Sequence, residues 1–364
     1  MVVKLGVIGC GMIAQEHLRN LNLIDNAKPI ALADPFEEML HLSGEIPPEK
    51  PLKFSNYRDL LSTVDCDAYI IATPNYTHHQ IITDVLLSHK PILIEKPLCI
   101  NVAQCRDILI HAQKSRSSVW VAMEYRFMPP VGRLYELSRR EQFGKPLMIS
   151  FREHRFPFLK KVNNWNRFSE FSGGTLVEKC CHFWDLMRLI IKSNPIQIYA
   201  SGGMDVNHHD EVYDGQKPDM IDNAFAIVEF ANGTRGMLDL CMFSDSVPWQ
   251  EEIYVTSSQG RIDAFIPASW EFKTNPDDQE SLVQYSDRES REIFREHFNL
   301  DKKILRAGSH FGAIYYQLNA FISMVAEKKD TPAVSLEDGY WAVAVGEAAE
   351  KSIVTGSAQA IEQF

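Results

Sequence analysis

The sequence lacks the features that indicate a membrane, secreted or nucleic-acid-binding protein. No apolar run in its 364 residues approaches the ~20 residues that a membrane span needs. The first residues have neither the charged segment nor the cleavage site of a signal peptide. The net charge is −11 and the basic residues do not cluster, which argues against a nucleic acid or an anionic membrane as partner.

The cysteines form neither a disulfide framework nor a zinc pattern. They number seven, which is odd, and no two are spaced C-x-x-C. Several fall in segments that are predicted to be buried. This pattern is typical of reduced thiols, and we expect a cytoplasmic protein.

The length and the patterning of the chain predict an α/β protein with two domains. Strand and helix signals alternate over residues 1–124, which predicts a dinucleotide-binding Rossmann domain with a doubly wound parallel sheet. Residues 125–364 contain strands in succession, with a hairpin signal at Asn232 and Gly233, and predict an α/β domain with a large, mainly antiparallel open sheet. The last helix, about 336–355, is predicted to pack back toward the Rossmann domain.

Two predictions in the second domain concern single segments. Helical spacing continues from residue 175 to 191 and predicts one long inserted helix. Residues 275–306 are polar and charge-rich, and they are predicted to form a loop with a short helix.

A glycine-rich turn follows the first strand and opens the first helix. The pattern G-x-G-x-x-A places Gly9 at the tight turn, Gly11 where a pyrophosphate approaches the backbone, and Ala14 where the helix packs on the strand. The helix N-terminus offers free N–H groups and a positive dipole end to a phosphate. The predicted cofactor contacts in this turn are Gly9, Gly11, Met12, Ile13 and Ala14.

Asp34 follows the second strand, twenty residues after Ala14. A carboxylate at this place accepts hydrogen bonds from the ribose hydroxyls of an adenosine. It also repels a 2′-phosphate, so the sequence predicts NAD as cofactor in preference to NADP.

Two further loops fall at carboxyl ends of parallel strands, where ligands of such sheets bind. One begins at Thr73 and the other at Glu95, and His78 opens the helix after the first. The predicted cofactor contacts in this region are Thr73, Pro74, Asn75, His78, Glu95 and Lys96.

Lys96 is also a candidate for the chemistry, because a lysine at the mouth of the sheet can donate to a substrate oxygen. Partial desolvation is expected to lower its pKa toward a proton-transferring range, and the neighbouring Glu95 is expected to oppose that shift. The alternative is a solvated loop lysine in a structural ion pair.

Glu178, His182 and Asp185 are spaced i, i+4, i+7 and are expected to share one helix face. His182 is a natural acid or base near neutral pH, with a carboxylate to orient it. Alternatively, Glu178 favours the helix N-terminus and His182 is an ordinary interfacial histidine. A metal is not expected, since no Cys or His cluster completes a shell.

Further candidates for substrate contact lie in the second domain and at its start. An aromatic face suits the apolar side of a sugar ring, and arginine suits its hydroxyls. The alternative is an interdomain structural role for Arg126 and a loop anchor for Trp165. These candidates are Arg126, Trp165, Arg167, Asp185, His310 and Tyr315.

With these residues in view, the chain resembles, nearly end to end, the glucose–fructose oxidoreductase / inositol dehydrogenase (Gfo/Idh/MocA) family. The stretch Glu95-Lys96-Pro97 is the most telling part of the resemblance. The other matching parts are the turn 9–14, Asp34, Thr73-Pro74 with His78, Gly173-Gly174 leading to His182 and Asp185, and the closing segment 334–356.

The resemblance implies a Rossmann domain plus an α/β domain whose open sheet often forms the oligomer interface, and hence a homodimer or homotetramer. It also implies nicotinamide-dependent oxidation or reduction of a sugar or cyclitol, with Lys96 and His182 handling the proton. The family usually has Asp four residues before the histidine and Gly between them. Here Glu178 and Cys180 stand at those positions, which puts the particular substrate in question.

These observations predict an NAD-dependent dehydrogenase acting on a CH–OH group of a sugar or inositol-like compound, with Lys96, His182 and Glu178 as catalytic residues. One alternative is a glycoside-cleaving enzyme with tightly held NAD, which departs from paired-carboxylate hydrolysis. Another is a dinucleotide-sensing protein without catalysis, against which the presence of both Lys96 and His182 argues.

Overall fold

A computed structural model describes residues 2–269 and 280–364 of the chain. Within these residues a six-stranded parallel sheet is followed by a nine-stranded sheet in which all neighbours except one pair are antiparallel. The predicted α/β class, with a parallel and a mainly antiparallel sheet, is confirmed.

The first sheet has the strand order β3-β2-β1-β4-β5-β6. Its strands are β1 (Val3–Ile8), β2 (Ala27–Ala33), β3 (Leu52–Phe54), β4 (Ala68–Ile71), β5 (Ile92–Ile94) and β6 (Val119–Val121). Its helices are α1 (Met12–Leu21), α2 (Glu37–Gly44), α3 (Tyr57–Thr63), α4 (His78–Leu86) and α5 (Val102–Ala112). The order reverses between β1 and β4, and such a switch point is where dinucleotides bind in doubly wound sheets.

The second sheet has the order β14-β13-β12-β11-β7-β10-β9-β8-β15, and its one parallel pair is β7 with β10. Its strands are β7 (Pro146–His154), β8 (Pro195–Gly203), β9 (Asn223–Phe230), β10 (Arg235–Cys241), β11 (Glu251–Ser257), β12 (Gly260–Ile266), β13 (Ser281–Asp287), β14 (Ile293–Phe298) and β15 (Gln359–Ala360). The predicted hairpin at Asn232 and Gly233 joins β9 to β10, and Gly233 has a φ of +85°.

The helices after β6 are unevenly distributed along the chain. They are α6 (Pro129–Ser138), α7 (Ser169–Ser172), α8 (Thr175–Glu178), α9 (Cys181–Ile191), α10 (Lys302–Ala307), α11 (Ala313–Ala326) and α12 (Leu336–Thr355). Helices α3, α6 and α7 were not among the sequence predictions. No helix of residues 2–269 and 280–364 combines the length and the apolar character that crossing a bilayer requires.

The prediction of one helix over 175–191 is wrong, because the helix breaks into α8 and α9. The indole of Trp184 donates to the carbonyl of Leu176 at 2.8 Å. The amide of Cys180 bonds one residue further back, to the carbonyl of Thr175 at 3.4 Å. The side chain of Trp184 thus takes the acceptor that would have continued the helix.

The prediction of a loop with a short helix over 275–306 is only partly right. The short helix is present as α10, but β13 and β14 form a hairpin before it. Residues 275–279 lie outside the described residues. Because β14 is the last strand of the sheet and mostly exposed, its polar side chains need no apolar partner, and the hydrophobic pattern that marks a strand is weak.

Side chains along helix α12 connect the two sheets. Glu347 accepts the amide of Val102 on α5 at 2.7 Å. Glu350 accepts the amide of Leu176 on α8 at 2.7 Å, and the Ser352 hydroxyl accepts the amide of Ala200 on β8 at 2.9 Å. The helix therefore packs against elements of both domains.

Candidate functional site

The turn between β1 and α1 leaves open space in front of the helix N-terminus. Gly9 has a φ of +93°, and a Cβ there would lie 2.4 Å from the carbonyl oxygen of Ala72. A Cβ at Gly11 would meet no atom within 4 Å. Ala14 is fully buried. These residues fit a pyrophosphate, because the space at Gly11 adjoins the uncapped N-terminus of α1.

Asp34 is held against this turn by backbone amides. One carboxylate oxygen accepts the amide of Cys10 at 2.8 Å and the other accepts the amide of Phe36 at 2.9 Å. Burial raises the pKa of Asp34, and the two amides counteract that rise. Each carboxylate oxygen has a second lone pair, so the side chain is oriented and can still accept ribose hydroxyls.

His78 braces the two loops that follow β4 and β5. Its ring nitrogens lie 2.9 Å from the Pro97 carbonyl and 3.0 Å from the Thr73 carbonyl. The ring is fully buried and orients the two loops, while its contact with the cofactor remains a prediction.

The loops are also tied to their surroundings. Asn75 donates to the Ser172 carbonyl at 3.1 Å and so reaches the second domain. Glu95 lies 2.6 Å from the ring of His17 on α1. These contacts fix the carboxyl edge of the first sheet beside the segment that leads to α8.

Lys96 and Glu178, 82 residues apart, meet at this edge. The ammonium of Lys96 donates to the Glu178 carbonyl at 2.9 Å and lies 3.4 Å from its carboxylate. Lys161 lies 3.1 Å from the other carboxylate oxygen. Burial opposes ionisation of Glu178, but the charges of Lys96 and Lys161 lower its pKa below the usual range.

The expected lowering of the Lys96 pKa is wrong. Desolvation does act in that direction, but the negative charge of Glu178, with smaller contributions from neighbouring groups, raises the pKa of Lys96 above its usual range. Lys96 is therefore a charged hydrogen-bond donor at neutral pH.

Trp165 contributes to the site through Lys161, whose ammonium lies 4.6 Å from the centre of the indole ring. The indole is largely buried, as a loop anchor would be. Lys161 was not among the sequence predictions, because nothing in a polar loop distinguishes a lysine that contacts a buried carboxylate from a solvated one.

His182 is buried beside a second carboxyl group. Its Nε2 lies 3.4 Å from Glu124 Oε1, while its Nδ1 has no hydrogen-bond partner. The ring stacks on Tyr125 with centroids 4.1 Å apart and an angle of 4°. Burial, followed by the charges of Lys96 and Lys179, lowers the pKa of His182 well below its usual range, so the imidazole is neutral.

Tyr125 is held from behind by a buried polar cluster. Its hydroxyl accepts from Lys179 at 2.6 Å and donates to Glu251 at 3.1 Å. Lys179 also pairs with Glu153 at 2.9 Å. In the sequence, the signal of this cluster is a lysine within a mostly apolar stretch.

Arg126 and Asp185 form an ion pair with each other. Two guanidinium nitrogens of Arg126 contact the Asp185 carboxylate at 2.6 and 2.5 Å, and Arg126 also lies 3.4 Å from Asp338 at the start of α12. Both residues therefore have structural partners within the chain, and their substrate contacts remain predictions.

The remaining candidates separate into two groups. His310 reaches the site, with its Nδ1 3.9 Å from Glu124 Oε1 and its ring 5.4 Å from that of Tyr125. Arg167 is buried and donates to Glu211 at 2.7 Å, and its substrate contact remains a prediction. Tyr315 packs edge-on against Tyr316, with no described contact to Lys96 or His182.

Glu124 was missed by the sequence analysis. The signal was available, because Glu124 follows β6 just as the other two loops follow β4 and β5. In the described part of the chain, no three His, Cys, Asp or Glu residues are placed to hold a metal ion.

The chain matches two family models from the same family. Residues 3–123 match the Gfo/Idh/MocA model described as "Oxidoreductase family, NAD-binding Rossmann fold". Residues 136–361 match the model described as "Oxidoreductase family, C-terminal alpha/beta domain".

Similar proteins span the whole chain. The chain is 26% identical over 356 residues to myo-inositol 2-dehydrogenase of Thermotoga maritima, covering 96% of each. A putative myo-inositol dehydrogenase from Sinorhizobium meliloti is 20% identical with a TM-score of 0.76, covering 99% of this chain and 100% of that one. The WlbA dehydrogenase from Bordetella pertussis, in complex with NADH and UDP-GlcNAcA, is 15% identical with a TM-score of 0.74 and full coverage of both chains.

Proposed function

Since this chain belongs to the Gfo/Idh/MocA oxidoreductase family, whose first domain is an NAD-binding Rossmann fold, we propose that it oxidises a hydroxyl-bearing carbon of a sugar or cyclitol. The observation that carries this proposal is the meeting of a charged lysine, Lys96, with a buried carboxylate, Glu178, next to a neutral histidine, His182.

NAD would be held by the open turn at Gly11, by Asp34 and by the loops that begin at Thr73 and Glu95. When bound, it supplies the hydride acceptor for oxidation. Asp34 supports NAD over NADP, because its carboxylate is fixed beside the turn and repels a 2′-phosphate.

The protein's own residues then handle the proton. Lys96 donates to the substrate oxygen and stabilises negative charge on it as the O–H bond breaks. His182 is neutral and accepts the hydroxyl proton. Glu178 is ionised and accepts a hydrogen bond from a neighbouring hydroxyl of the substrate.

These roles of Lys96, His182 and Glu178 fit a substrate with adjacent hydroxyls. Lys96 and Lys161 approach different oxygens of Glu178, so hydroxyls near that carboxylate find both acceptors and donors. The name of the Thermotoga maritima relative, an inositol dehydrogenase, agrees with a cyclitol.

The test is NADH formation by the purified protein across inositols, aldoses and sugar acids. A steady rise in NADH absorbance with a ring polyol would establish the class. Bound NAD with no rise for any member, but cleavage of a glycoside, would replace the proposal with the glycoside-cleaving alternative.

We also propose that the chain forms a homodimer or homotetramer through the open face of the second sheet. Tyr199, Ile227 and Met237 lie side by side on β8, β9 and β10 and expose 45%, 52% and 44% of their surface. Phe225, two residues before Ile227 on the same face, is 63% exposed. A contiguous apolar face of this kind supports a protein interface.

A further inference from the structure

We propose that Glu124 is a positioning residue that selects the tautomer of His182, so that Nε2 carries the hydrogen and Nδ1 carries the lone pair that accepts the substrate proton. The inference rests on the proposed function for its kinetic consequence. The tautomer itself is a property of the protein without substrate.

Glu124 lies beside Nε2, the ring nitrogen of His182 that carries the hydrogen in the proposed tautomer. Its Oε1 lies 3.4 Å from His182 Nε2, and the carboxyl group is buried. Hydrogen bonds of catalytic groups are often long before the substrate binds and then shorten. A carboxylate at one ring nitrogen fixes which nitrogen holds the hydrogen.

The ring cannot easily turn to exchange its nitrogens. It is stacked in parallel on Tyr125 at 4.1 Å, and Tyr125 is fixed by hydrogen bonds with Lys179 and Glu251. Tautomer choice is therefore made by proton position and not by rotation.

Three buried polar atoms around Glu124 lack a hydrogen-bond partner: Glu124 Oε2, His182 Nδ1 and His310 Nδ1. Unpartnered buried polar atoms are rare in folded proteins. A ligand with more than one hydroxyl would supply these missing partners. His182 Nδ1 is then the nitrogen available to that ligand.

The proton balance follows from this arrangement. Bound NAD would supply the hydride acceptor for the substrate carbon, and His182 Nδ1 accepts the proton of the hydroxyl group on that carbon. The positive charge on the ring is offset by the Glu124 carboxylate at Nε2, which can take the second ring proton. When Glu124 is protonated it donates to Nε2 instead, Nδ1 then carries the hydrogen, and the ring cannot accept the substrate proton.

The charged groups around Glu124 set the pH at which His182 changes tautomer. Burial raises the pKa of Glu124 to about 8, and the charge of Glu95 adds to the rise. Lys96 and Lys179 act in the opposite direction. The titratable and charged groups that face Glu124 and His182 are Glu95, Lys96, Tyr125, Arg155, Glu178, Lys179, Cys181 and His310.

The deciding experiment is NMR of the imidazole nitrogens in the full-length protein with isotope-labelled histidine and without substrate, from pH 6 to 10. The His182 signals are assigned by their loss in His182→Asn. We expect a change from Nδ1–H to Nε2–H with a midpoint near pH 8 in the wild type, and no such change in Glu124→Gln. Glu124→Asp, which keeps the carboxyl group, should retain it at a shifted midpoint.

The matched control is Glu350→Gln, which alters another buried carboxyl group whose pKa burial raises, to about 7, but which accepts the amide of Leu176 on α8 and does not hold Tyr125. His182 should still change tautomer in this variant. A pH-independent His182 in the wild type, or loss of the change in Glu350→Gln, overturns the inference.

Kinetics then separates the two proposals. Given a substrate, Glu124→Gln should lower kcat by about 10- to 100-fold, the usual effect of removing an orienting partner. KM should be nearly unchanged. The ionisation near pH 8 should be absent from the pH profile of kcat. If no polyol is oxidised, the proposed function fails, while the NMR result stands by itself. An unchanged pH profile in Glu124→Gln contradicts the inference alone.

Discussion

At the scale of single residues, the charge state of Lys96 follows from Glu178 and not from burial. Replacing Lys96 by Met should lower kcat by about 10²–10⁴-fold, because the donor to the substrate oxygen is lost while the cofactor loops keep their bracing through His78. The measurement is steady-state turnover beside NAD binding by fluorescence titration.

The control for this variant is Lys90→Met, which removes a lysine paired with Asp65 at 2.9 Å on the surface of the same domain. It should leave turnover unchanged. Loss of NAD binding in Lys96→Met would instead make Lys96 a structural residue.

Asp34 determines the expected cofactor preference. Asp34→Asn should reduce the preference for NAD over NADP by about tenfold, equivalent to roughly 1.4 kcal/mol, because the negative charge that repels a 2′-phosphate is removed. Dissociation constants for both cofactors provide the test. Asp67→Asn is the control, since Asp67 also accepts a backbone amide, that of Lys4 at 2.8 Å, but away from the turn.

A wild-type protein that binds NADPH more tightly than NADH would show that the interpretation of Asp34 is incorrect. Asp34→Asn should also lower the melting temperature slightly. Both carboxylate oxygens accept backbone amides, and an asparagine nitrogen facing one of these amides leaves it unpaired.

At the scale of elements, the two glycines of the β1–α1 turn should respond differently to alanine. Gly11→Ala should fold normally and bind NAD more weakly, since its methyl group enters open space that the pyrophosphate would use. Gly9→Ala should destabilise the fold, because its φ is +93° and its Cβ would lie 2.4 Å from a carbonyl oxygen. Thermal unfolding and NAD titration of both variants distinguish the effects, and equal losses of stability would contradict this explanation.

Sequence patterns could predict the elements whose signal is local. The alternation of buried strands and helices, the glycine turn and the Asn232–Gly233 hairpin are all local. The break between α8 and α9 could not be predicted, because it depends on Trp184 reaching back to the Leu176 carbonyl. Likewise, the pairing of Arg126 with Asp185 depends on which long-range partner is nearest in the fold.

Glu350 on α12 should make stability depend on pH. Burial raises its pKa to about 7, whereas an unfolded glutamate has a pKa of about 4.3. Its contribution to stability is therefore complete below the unfolded pKa and is lost as the pH rises through about 7. Glu350→Gln should gain stability relative to the wild type by up to about 3 kcal/mol between pH 5 and pH 8.

Denaturant unfolding of both proteins at several pH values measures this difference. Glu347→Gln, an exposed glutamate on the same helix that also accepts a backbone amide, controls for the general effect of an amide on α12. A constant difference between Glu350→Gln and the wild type across the pH range would rule out the titration.

At the scale of the whole molecule, the open face of the second sheet determines the expected assembly. Ile227→Glu should yield a monomer of 41.5 kDa by light scattering, because a charge would be buried without a partner in the interface. Ile110→Glu changes an isoleucine of the same exposure, 52%, on α5, and should keep the wild-type mass. A monomeric wild-type protein would refute the proposed assembly.

Helix α12 also has a consequence for biosynthesis. Because it contacts elements of both domains yet follows every strand except β15 in the chain, a nascent polypeptide emerging from the ribosome can form the rest of both sheets before the helix is made. Until then the apolar surfaces that it covers stay exposed, and partly folded chains with such surfaces aggregate. We therefore expect the nascent chain to be prone to aggregation until this one helix has emerged.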